Sequence, residues 1–228
     1  MLPYGQINKE MRLILMEYST IRRQVLDAIR EAVALGLIHG TSGNIAVRDP
    51  ACGAIAITPS GIAYQTMTEE DIAIVSPDGA WLAGKYKPSS ETPMHTAVLR
   101  ARPDVNATVH THGMFCTILA MTDEPLRPIT PPQAEFTPVQ IVPFTMPGSS
   151  DLADEVVRTL GSTGKSVLLK NHGMFTCGKN IKAAMAAAIY TEEMAQTTYY
   201  AKLLGILQPM SREAEAAMQA LIAADQAV

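Results

Sequence analysis

The chain has 228 residues, of which 47% are hydrophobic and 18% charged, and its formal net charge is −4. This length suits one large domain or two small ones, and the composition is typical of a folded globular protein. Without an excess of basic residues, the chain gives no indication of a nucleic-acid-binding or membrane-binding surface. A small anionic substrate remains compatible with this charge because it needs only a local site.

The cysteines and the apolar runs indicate the cellular compartment. The three cysteines do not form a short disulfide framework, which favours a reducing environment. The apolar run over 11–16 is too short for a signal peptide, and no stretch approaches the ~20 apolar residues of a transmembrane helix. The sequence therefore predicts a soluble cytoplasmic protein with neither a nucleic-acid partner nor a membrane partner.

The first half of the chain alternates between helical and strand patterns. Ser19 or Thr20 is predicted to cap a first helix, and Gly36 ends it because glycine accepts the left-handed backbone found after helices. The predicted elements are that helix, a strand over 45–48 after a glycine-rich turn, its hairpin partner over 54–58, a capped turn over 68–71 and a strand over 72–76.

The second half carries longer helices. Thr92 is predicted to cap a helix with Pro93 at its first position, a favoured arrangement. Residues 125–150 contain seven prolines and predict a loop with one strand near 139–142. The remaining predicted elements are a strand over 107–112, a helix around 114–121, a helix over 152–160, a strand over 166–170, an alanine-rich helix over 181–207 and a last helix after Ser211.

No linker or change of composition divides the chain. Hairpin-connected strands mixed with helices favour a single-domain α/β sandwich with a mainly antiparallel sheet. We therefore expect one domain over residues 1–228, with an N-terminal extension at 1–18 and a C-terminal helix at 209–228.

Two histidines on one predicted strand form the most informative motif, His110-Thr111-His112. Side chains alternate along a strand, so both imidazoles project from one face, roughly 7 Å apart at Cα. Val109 and Thr111 face the other way. This spacing allows both imidazoles to bind one metal ion, although two polar side chains on a solvated face would give the same pattern.

Two further residues extend this candidate metal site. His172 follows the predicted strand over 166–170 in a turn closed by Gly173, and Glu91 lies at the start of a helix. Catalytic zinc takes three protein ligands plus water or substrate, and iron, manganese or cobalt also accept such ligands. His95, on the same helix as apolar neighbours, is instead predicted to be a packed, hydrogen-bonded histidine.

Three short segments rich in small residues are candidates for binding an anion. Backbone N–H groups in such turns form concave anion sites, and hydroxyl groups add donors. Each segment taken alone is equally compatible with an ordinary turn. The segments contain Gly43 with Asn44, Ser60 with Gly61, and Ser89 with Ser90.

The segment 161–166, Gly-Ser-Thr-Gly-Lys-Ser, superficially resembles a P-loop. That motif requires a glycine where this chain has Thr159, and it follows a strand rather than preceding one. We therefore interpret the segment as a helix-to-strand turn.

Taken together, these segments resemble the class II aldolase/adducin family, which contains sugar-phosphate aldolases and epimerases. The resemblance runs from about Ile21 to about Gly205. The matching pieces, in family order, are residues 36–37 with 40–48, 57–61, 89–91, 102–112 and 171–173.

The resemblance implies a central antiparallel sheet between layers of helices, assembled as a homotetramer. It implies one Zn²⁺ per subunit, or another divalent metal, held by His110, His112, His172 and Glu91. By the same likeness, Gly43, Asn44, Ser60, Gly61, Ser89 and Ser90 would hold the substrate phosphate and neighbouring oxygens.

The family's chemistry implies a role for Glu91. The metal acts as a Lewis acid that stabilises an enediolate, while Glu91 transfers protons at the substrate carbons. Family epimerases carry aspartate at this position, so glutamate favours an aldolase. Cleavage of a small ketose or deoxyketose 1-phosphate would then yield dihydroxyacetone phosphate and an aldehyde.

One departure from the family pattern concerns the second acid–base group. Family aldolases place a tyrosine about twenty residues after the second histidine and contribute it to the neighbouring subunit's site, but residues 128–135 contain no tyrosine. Glu135 falls near the acidic proton-transfer residue of the epimerases and is the candidate replacement. A surface carboxylate is the alternative interpretation of Glu135.

Other functions on the same scaffold stay open at this point. An epimerase, a dehydratase or a decarboxylase would use the same ligands, so the ligands alone do not separate them. A non-catalytic, adducin-like module is disfavoured because such a module is expected to lose its metal ligands, whereas all four candidates are present here.

Overall fold

The computed structural model describes residues 18–225, which build one eight-stranded sheet. The strands are β1 (Asn44–Arg48), β2 (Ile55–Ile57), β3 (Ala73–Val75), β4 (Trp81–Ala83), β5 (Ala107–Thr111), β6 (Gln140–Val142), β7 (Ser166–Leu169) and β8 (Gly173–Gly178). They lie in the order β4-β3-β2-β1-β5-β8-β7-β6, and every neighbouring pair is antiparallel except β6 with β7. The predicted mainly antiparallel sheet is confirmed.

The helices are α1 (Ser19–Ala34), α2 (Thr92–Ala101), α3 (Met114–Leu119), α4 (Ser150–Leu160), α5 (Ile181–Leu203) and α6 (Arg212–Asp225), with 3₁₀ turns at Glu69–Asp71 and Pro131–Phe136. Between residues 18 and 225, none of these helices combines the length and apolar character needed to cross a membrane. The segment 161–166 joins α4 to β7, as predicted.

Alternation along the strands separates two apolar cores. In β1, Ile45 and Val47 pack against residues of α1 and α5, whereas Ala46 faces the core that contains α2 and α4. Helix α3 adds Cys116 and Leu119 to the α1/α5 side. The sheet therefore lies between two helical layers, which confirms the expected α/β/α sandwich. The predicted N-terminal extension at 1–18 lies outside the described residues except for residue 18, and the predicted bounds of 209–228 for the C-terminal helix stay a prediction.

Several element boundaries differ from the predicted ones, and three of them concern helix ends that have a clear physical cause. The N-cap of α1 is Tyr18 rather than Ser19 or Thr20, and the N-cap of α2 is Glu91 rather than Thr92. Glu91 makes no capping hydrogen bond because its carboxylate points toward His110. Helix α5 ends at Leu203, four residues before the predicted end, because Gly205 adopts a left-handed backbone with φ of 69°.

Strand β8 is the most consequential element that the pattern did not predict. It pairs with β5 on one side and β7 on the other, so it joins the strand of His110 to the strand that precedes His172. At Gly173 a side chain would collide with the carbonyl oxygen of Thr111. Glycine therefore permits the close pairing that brings the two histidine segments together.

Candidate active site

The carboxyl end of β5 positions the first two histidines. His110 is fully buried on the α2 side of the sheet, and His112 follows directly after the strand. The Nδ1 of His110 lies 2.8 Å from the carbonyl oxygen of Met174. Since a carbonyl only accepts, Nδ1 carries the proton and Nε2 presents its lone pair to the site.

His172 completes a cluster of three imidazoles. It lies between β7 and β8, after Asn171, whose left-handed backbone has a φ of 53°. The Nε2 atoms of His112 and His110 are 2.9 Å apart, and the nitrogen atoms that the three side chains offer all lie within 4.8 Å of one another. The three histidines predicted as ligands therefore converge.

Glu91 closes the fourth side of this cluster. Its Oε2 lies 3.0 Å from Nε2 of His110, and its Oε1 lies 3.4 Å from Nε2 of His172. Asn44 donates from Nδ2 to Oε2 over 3.1 Å. Oε1 is buried without a hydrogen bond, so one oxygen is left for a ligand or a reacting group.

The electrostatics of the cluster suit a cation. Burial alone would raise the pKa of Glu91, but its proximity to His110 and the hydrogen bond from Asn44 hold that pKa well below its usual range. Burial lowers the pKa values of His112 and His172 to about 4, so both are neutral at neutral pH. Buried imidazole lone pairs and a carboxylate that face one another form the donor set of a divalent metal.

Two of the three anion-binding candidates lie side by side, next to Glu91. Ser60 donates its N–H to the carbonyl of Lys87 over 2.9 Å, and Ser89 donates to the carbonyl of Thr58 over 3.0 Å. Ser60, Gly61 and Ser90 are exposed, whereas Ser89 is buried. The Ser89 hydroxyl accepts the Glu91 N–H over 3.2 Å, which ties this segment to the carboxylate.

The third anion-binding candidate lies in the turn before β1. The carbonyl of Gly43 accepts a hydrogen bond of 2.5 Å from the buried Tyr64 hydroxyl, and burial raises the pKa of that hydroxyl to about 12. Asn44 is paired with His110 across β1 and β5. This turn is therefore fixed beside the histidine strand.

The comparison with known proteins agrees with this geometry. Residues 23–199 match the family described as Class II Aldolase and Adducin N-terminal domain. The chain belongs to that family. It is 34% identical over 197 residues to an L-fuculose phosphate aldolase of Escherichia coli O6:H1, covering 86% of this chain and 89% of that relative.

Two more proteins place the chain among the aldolases of this class II family. A 5-methylthioribulose-1-phosphate/5-deoxyribulose-1-phosphate aldolase of Rhodospirillum rubrum is 35% identical over 191 residues, which cover 83% of this chain and 84% of that relative. A solved structure of L-fuculose 1-phosphate aldolase matches with a TM-score of 0.84 at 29% identity, covering 90% of this chain and 96% of that one. The resemblance predicted from the sequence is thus confirmed.

Glu135 lies apart from this class II aldolase site within the chain. Its carboxylate pairs with Lys165 over 2.7 Å, just before β7, whereas His172 follows the other end of that strand. At ~3.3 Å per residue, β7 separates the two by roughly 13 Å. Glu135 therefore does not join its own chain's histidines, and its catalytic role stays a prediction that requires a second chain.

Sequence reasoning missed a support for the His112 segment. Glu192, on α5, accepts the backbone N–H groups of Phe115 and Cys116 over 2.8 and 3.0 Å. A side chain at Gly113 would collide with this carboxylate. Glu192 and Gly113 together hold the turn after His112, and the 77-residue separation of Glu192 from Phe115 left no local pattern to predict this contact.

Proposed function

We propose that this class II aldolase-family chain is a metal-dependent aldolase that cleaves a small ketose or deoxyketose 1-phosphate into dihydroxyacetone phosphate and an aldehyde. The observation that carries the proposal is the convergence of three imidazole Nε2 atoms and a carboxylate beside small, hydroxyl-rich turns. The names of the relatives, which are aldolases of fuculose phosphate and of substituted ribulose 1-phosphates, support this substrate class.

We propose Zn²⁺ as the metal, with His110, His112, His172 and Glu91 as its ligands. When bound, the ion supplies Lewis-acid polarisation of the substrate's carbonyl and hydroxyl oxygens. The buried His110 is held in the correct tautomer by the Met174 carbonyl, which orients the ring before any ligand arrives.

The substrate phosphate is proposed to lie against the small-residue turns. Small residues let an anion approach the backbone closely and hydroxyl groups add donors, and the exposed positions face solvent next to Glu91. Asn44 belongs to this set by resemblance, although its side-chain amide contacts Glu91. The proposed residues are Gly43, Asn44, Ser60, Gly61, Ser89 and Ser90.

Glu91 is proposed to transfer the proton at the carbon next to the carbonyl. Its low pKa keeps it ionised, which is the form that removes this proton during condensation. During cleavage the carboxylate takes up a proton from solvent and passes it to C3. As the C3–C4 bond breaks, the C4 hydroxyl loses its proton and becomes the aldehyde. We propose Glu135 of a neighbouring chain as the group that accepts this second proton, within a cytoplasmic homotetramer.

The decisive experiment is incubation of purified, zinc-loaded protein with a panel of ketose 1-phosphates, including fuculose 1-phosphate and 5-deoxyribulose 1-phosphate. We expect dihydroxyacetone phosphate, detected by coupled NADH oxidation, with at least one of them. A panel without any release of dihydroxyacetone phosphate, but with an epimerised or dehydrated product, would overturn the proposed reaction.

Two variants assign the proton transfers. Glu91→Gln is expected to reduce turnover by roughly 10³-fold because it removes the general base, while the melting temperature of the metal-free protein stays high. Glu135→Gln is expected to reduce turnover with the metal content unchanged. Full activity of Glu135→Gln would remove this residue from the mechanism.

A further inference from the structure

A buried chain of hydrogen bonds runs from the sheet to Glu91. The Thr108 hydroxyl lies 2.6 Å from Nδ1 of His95, and Nε2 of His95 lies 2.5 Å from Oδ1 of Asn44. Asn44 then donates from Nδ2 to Glu91. These four side chains come from β5, α2, β1 and the N-cap of α2, so this series of hydrogen bonds links three elements of the fold.

The donor and acceptor of every hydrogen bond in this series follow from the last member, the Glu91 carboxylate. The ionised carboxylate of Glu91 only accepts, so the Asn44 atom that faces it is the amide nitrogen. Oδ1 of Asn44 therefore accepts, and Nε2 of His95 carries a proton and donates it. A neutral His95 then accepts at Nδ1 from the Thr108 hydroxyl.

Burial makes this arrangement rigid. His95 and Thr108 are fully buried, and Asn44 and Glu91 are 6% exposed. The His95 ring also packs against Phe175, with ring centroids 5.2 Å apart. The opposite direction would leave buried polar atoms without a hydrogen-bond partner, which is unfavourable.

We infer that His95 is a positioning residue for the reaction, acting through Asn44 to fix the carboxylate of Glu91 with Oε2 restrained and Oε1 free. The inference rests on the proposed role of Glu91. His95 does not contact the substrate site itself; its neutral ring fixes the orientation of the Asn44 amide, and the amide fixes the carboxylate. Without His95, the Asn44 amide is free to rotate and Glu91 loses its restraint.

The first test needs neither metal nor substrate. In metal-free protein labelled with ¹⁵N-histidine and ¹³C-glutamate, we expect NMR to show a neutral His95 protonated at Nε2 between pH 5.5 and 8. We expect the His95→Leu variant to shift the ¹³Cδ resonance of Glu91, although these two side chains are joined only through Asn44. A His95 protonated at Nδ1, or an unmoved Glu91 resonance, would overturn the inference.

The second test uses kinetics with an accepted ketose 1-phosphate. His95→Leu is expected to lower kcat by roughly 10- to 100-fold with KM and metal content nearly unchanged, and His95→Gln should recover much of the loss because its amide donates to Asn44. In an Asn44→Ala background, His95→Leu should lower kcat by less than ~2-fold, because residues that act in series are not additive.

The matched control removes a buried hydrogen bond outside the site. Thr191 donates to the Ser166 hydroxyl over 2.9 Å in the α1/α5 side of the fold, and Thr191→Val should lower the melting temperature without changing kcat. Equal kcat losses in Thr191→Val and His95→Leu, or additive losses in the Asn44 double variant, would reduce His95 to a structural residue. If no substrate is cleaved, the proposed function fails but the NMR test still decides the inference.

Discussion

Ionisable side chains cluster at both ends of the central strands, and the two clusters differ in how their polar atoms are paired. At the histidine end, defined by Glu91, His110, His112 and His172, lone pairs face one another and two buried atoms, Oε1 of Glu91 and Nδ1 of His172, lack hydrogen bonds. At the arginine end, defined by Arg48, Arg102 and Lys165, each cation faces carbonyls or a carboxylate.

The difference separates a site for a ligand from a structural support. At the arginine end the cations and the oxygen atoms that face them are already paired and need no ligand, so this end stabilises the fold. Lone pairs that face lone pairs repel until a cation joins them, so the histidine end is complete only with a ligand. Removing residues from the two ends should therefore affect different measurements.

The largest effect is expected from the double variant His110→Ala with His112→Ala. Because two of the three imidazoles are lost, we expect metal analysis to fall from about one ion per chain to none, and turnover to fall by at least ~10³-fold. At the arginine end, Asp104 accepts from Arg102 over 2.7 Å. The Asp104→Asn variant should keep both its metal and its turnover. Full metal occupancy in the double variant would refute the site.

At the arginine end the expected loss is in stability. Arg48 donates to the carbonyls of Leu99, Arg102, Pro103 and Val105 and to the Asn106 side chain. Arg48→Met leaves these acceptors without the guanidinium, so we expect the free energy of unfolding to fall by about 3 kcal/mol, measured with urea. Metal content should not change. A loss of metal with unchanged stability would contradict the assignment of the arginine end to stability and of the histidine end to metal binding.

The histidine end was the more predictable of the two at the level of single residues. Strand alternation placed His110 on one face with Val109 and Thr111 on the other, and the structure agrees, because a period of two needs only local sequence. Convergence was not local: it depends on β8, whose six residues begin and end in glycine and gave no clear strand pattern. The sequence made His172 a candidate third ligand, and the family resemblance implied that it binds the same metal as His110 and His112.

The hydrogen bonds that position the site residues could not be predicted from the sequence. His95 was correctly predicted to be packed and hydrogen-bonded, yet its partner Asn44 lies 51 residues away and had been assigned to anion binding. Thr92 was preferred as the N-cap on propensity, whereas Glu91 holds that position because tertiary contacts with His110 and Asn44 outweigh a local preference. Propensity thus locates the helix start but not the function of its first residues.

A smaller effect is expected from pH on the metal-free protein. Burial lowers the pKa values of His112 and His172 to about 4 and of His95 to about 3. Unfolded histidines titrate near 6.5, so below that pH the unfolded chain binds protons that the folded chain does not. Stability is therefore lost as pH falls from about 6.5 toward 4.

Urea unfolding in EDTA at pH 7.5 and 5.5 measures this loss, which we expect to be roughly 2–4 kcal/mol. Glu91 adds nothing in this window because it is ionised in both states. His95→Gln should remove part of the pH dependence, whereas the exposed His39→Gln should leave it intact. A stability that does not change with pH would show that the histidine end is not buried in the metal-free protein.

The smallest effect is expected from Lys165→Met. Lys165 and Glu135 form an ion pair whose side chains are 32% and 28% exposed, so water screens it and its contribution should be below ~1 kcal/mol. Since β7 separates this pair from His172, metal content should not change either. A loss of metal in Lys165→Met would show that the two ends communicate through β7. A small shift in melting temperature alone would show that they are independent, as expected if Glu135 acts on the site of another chain.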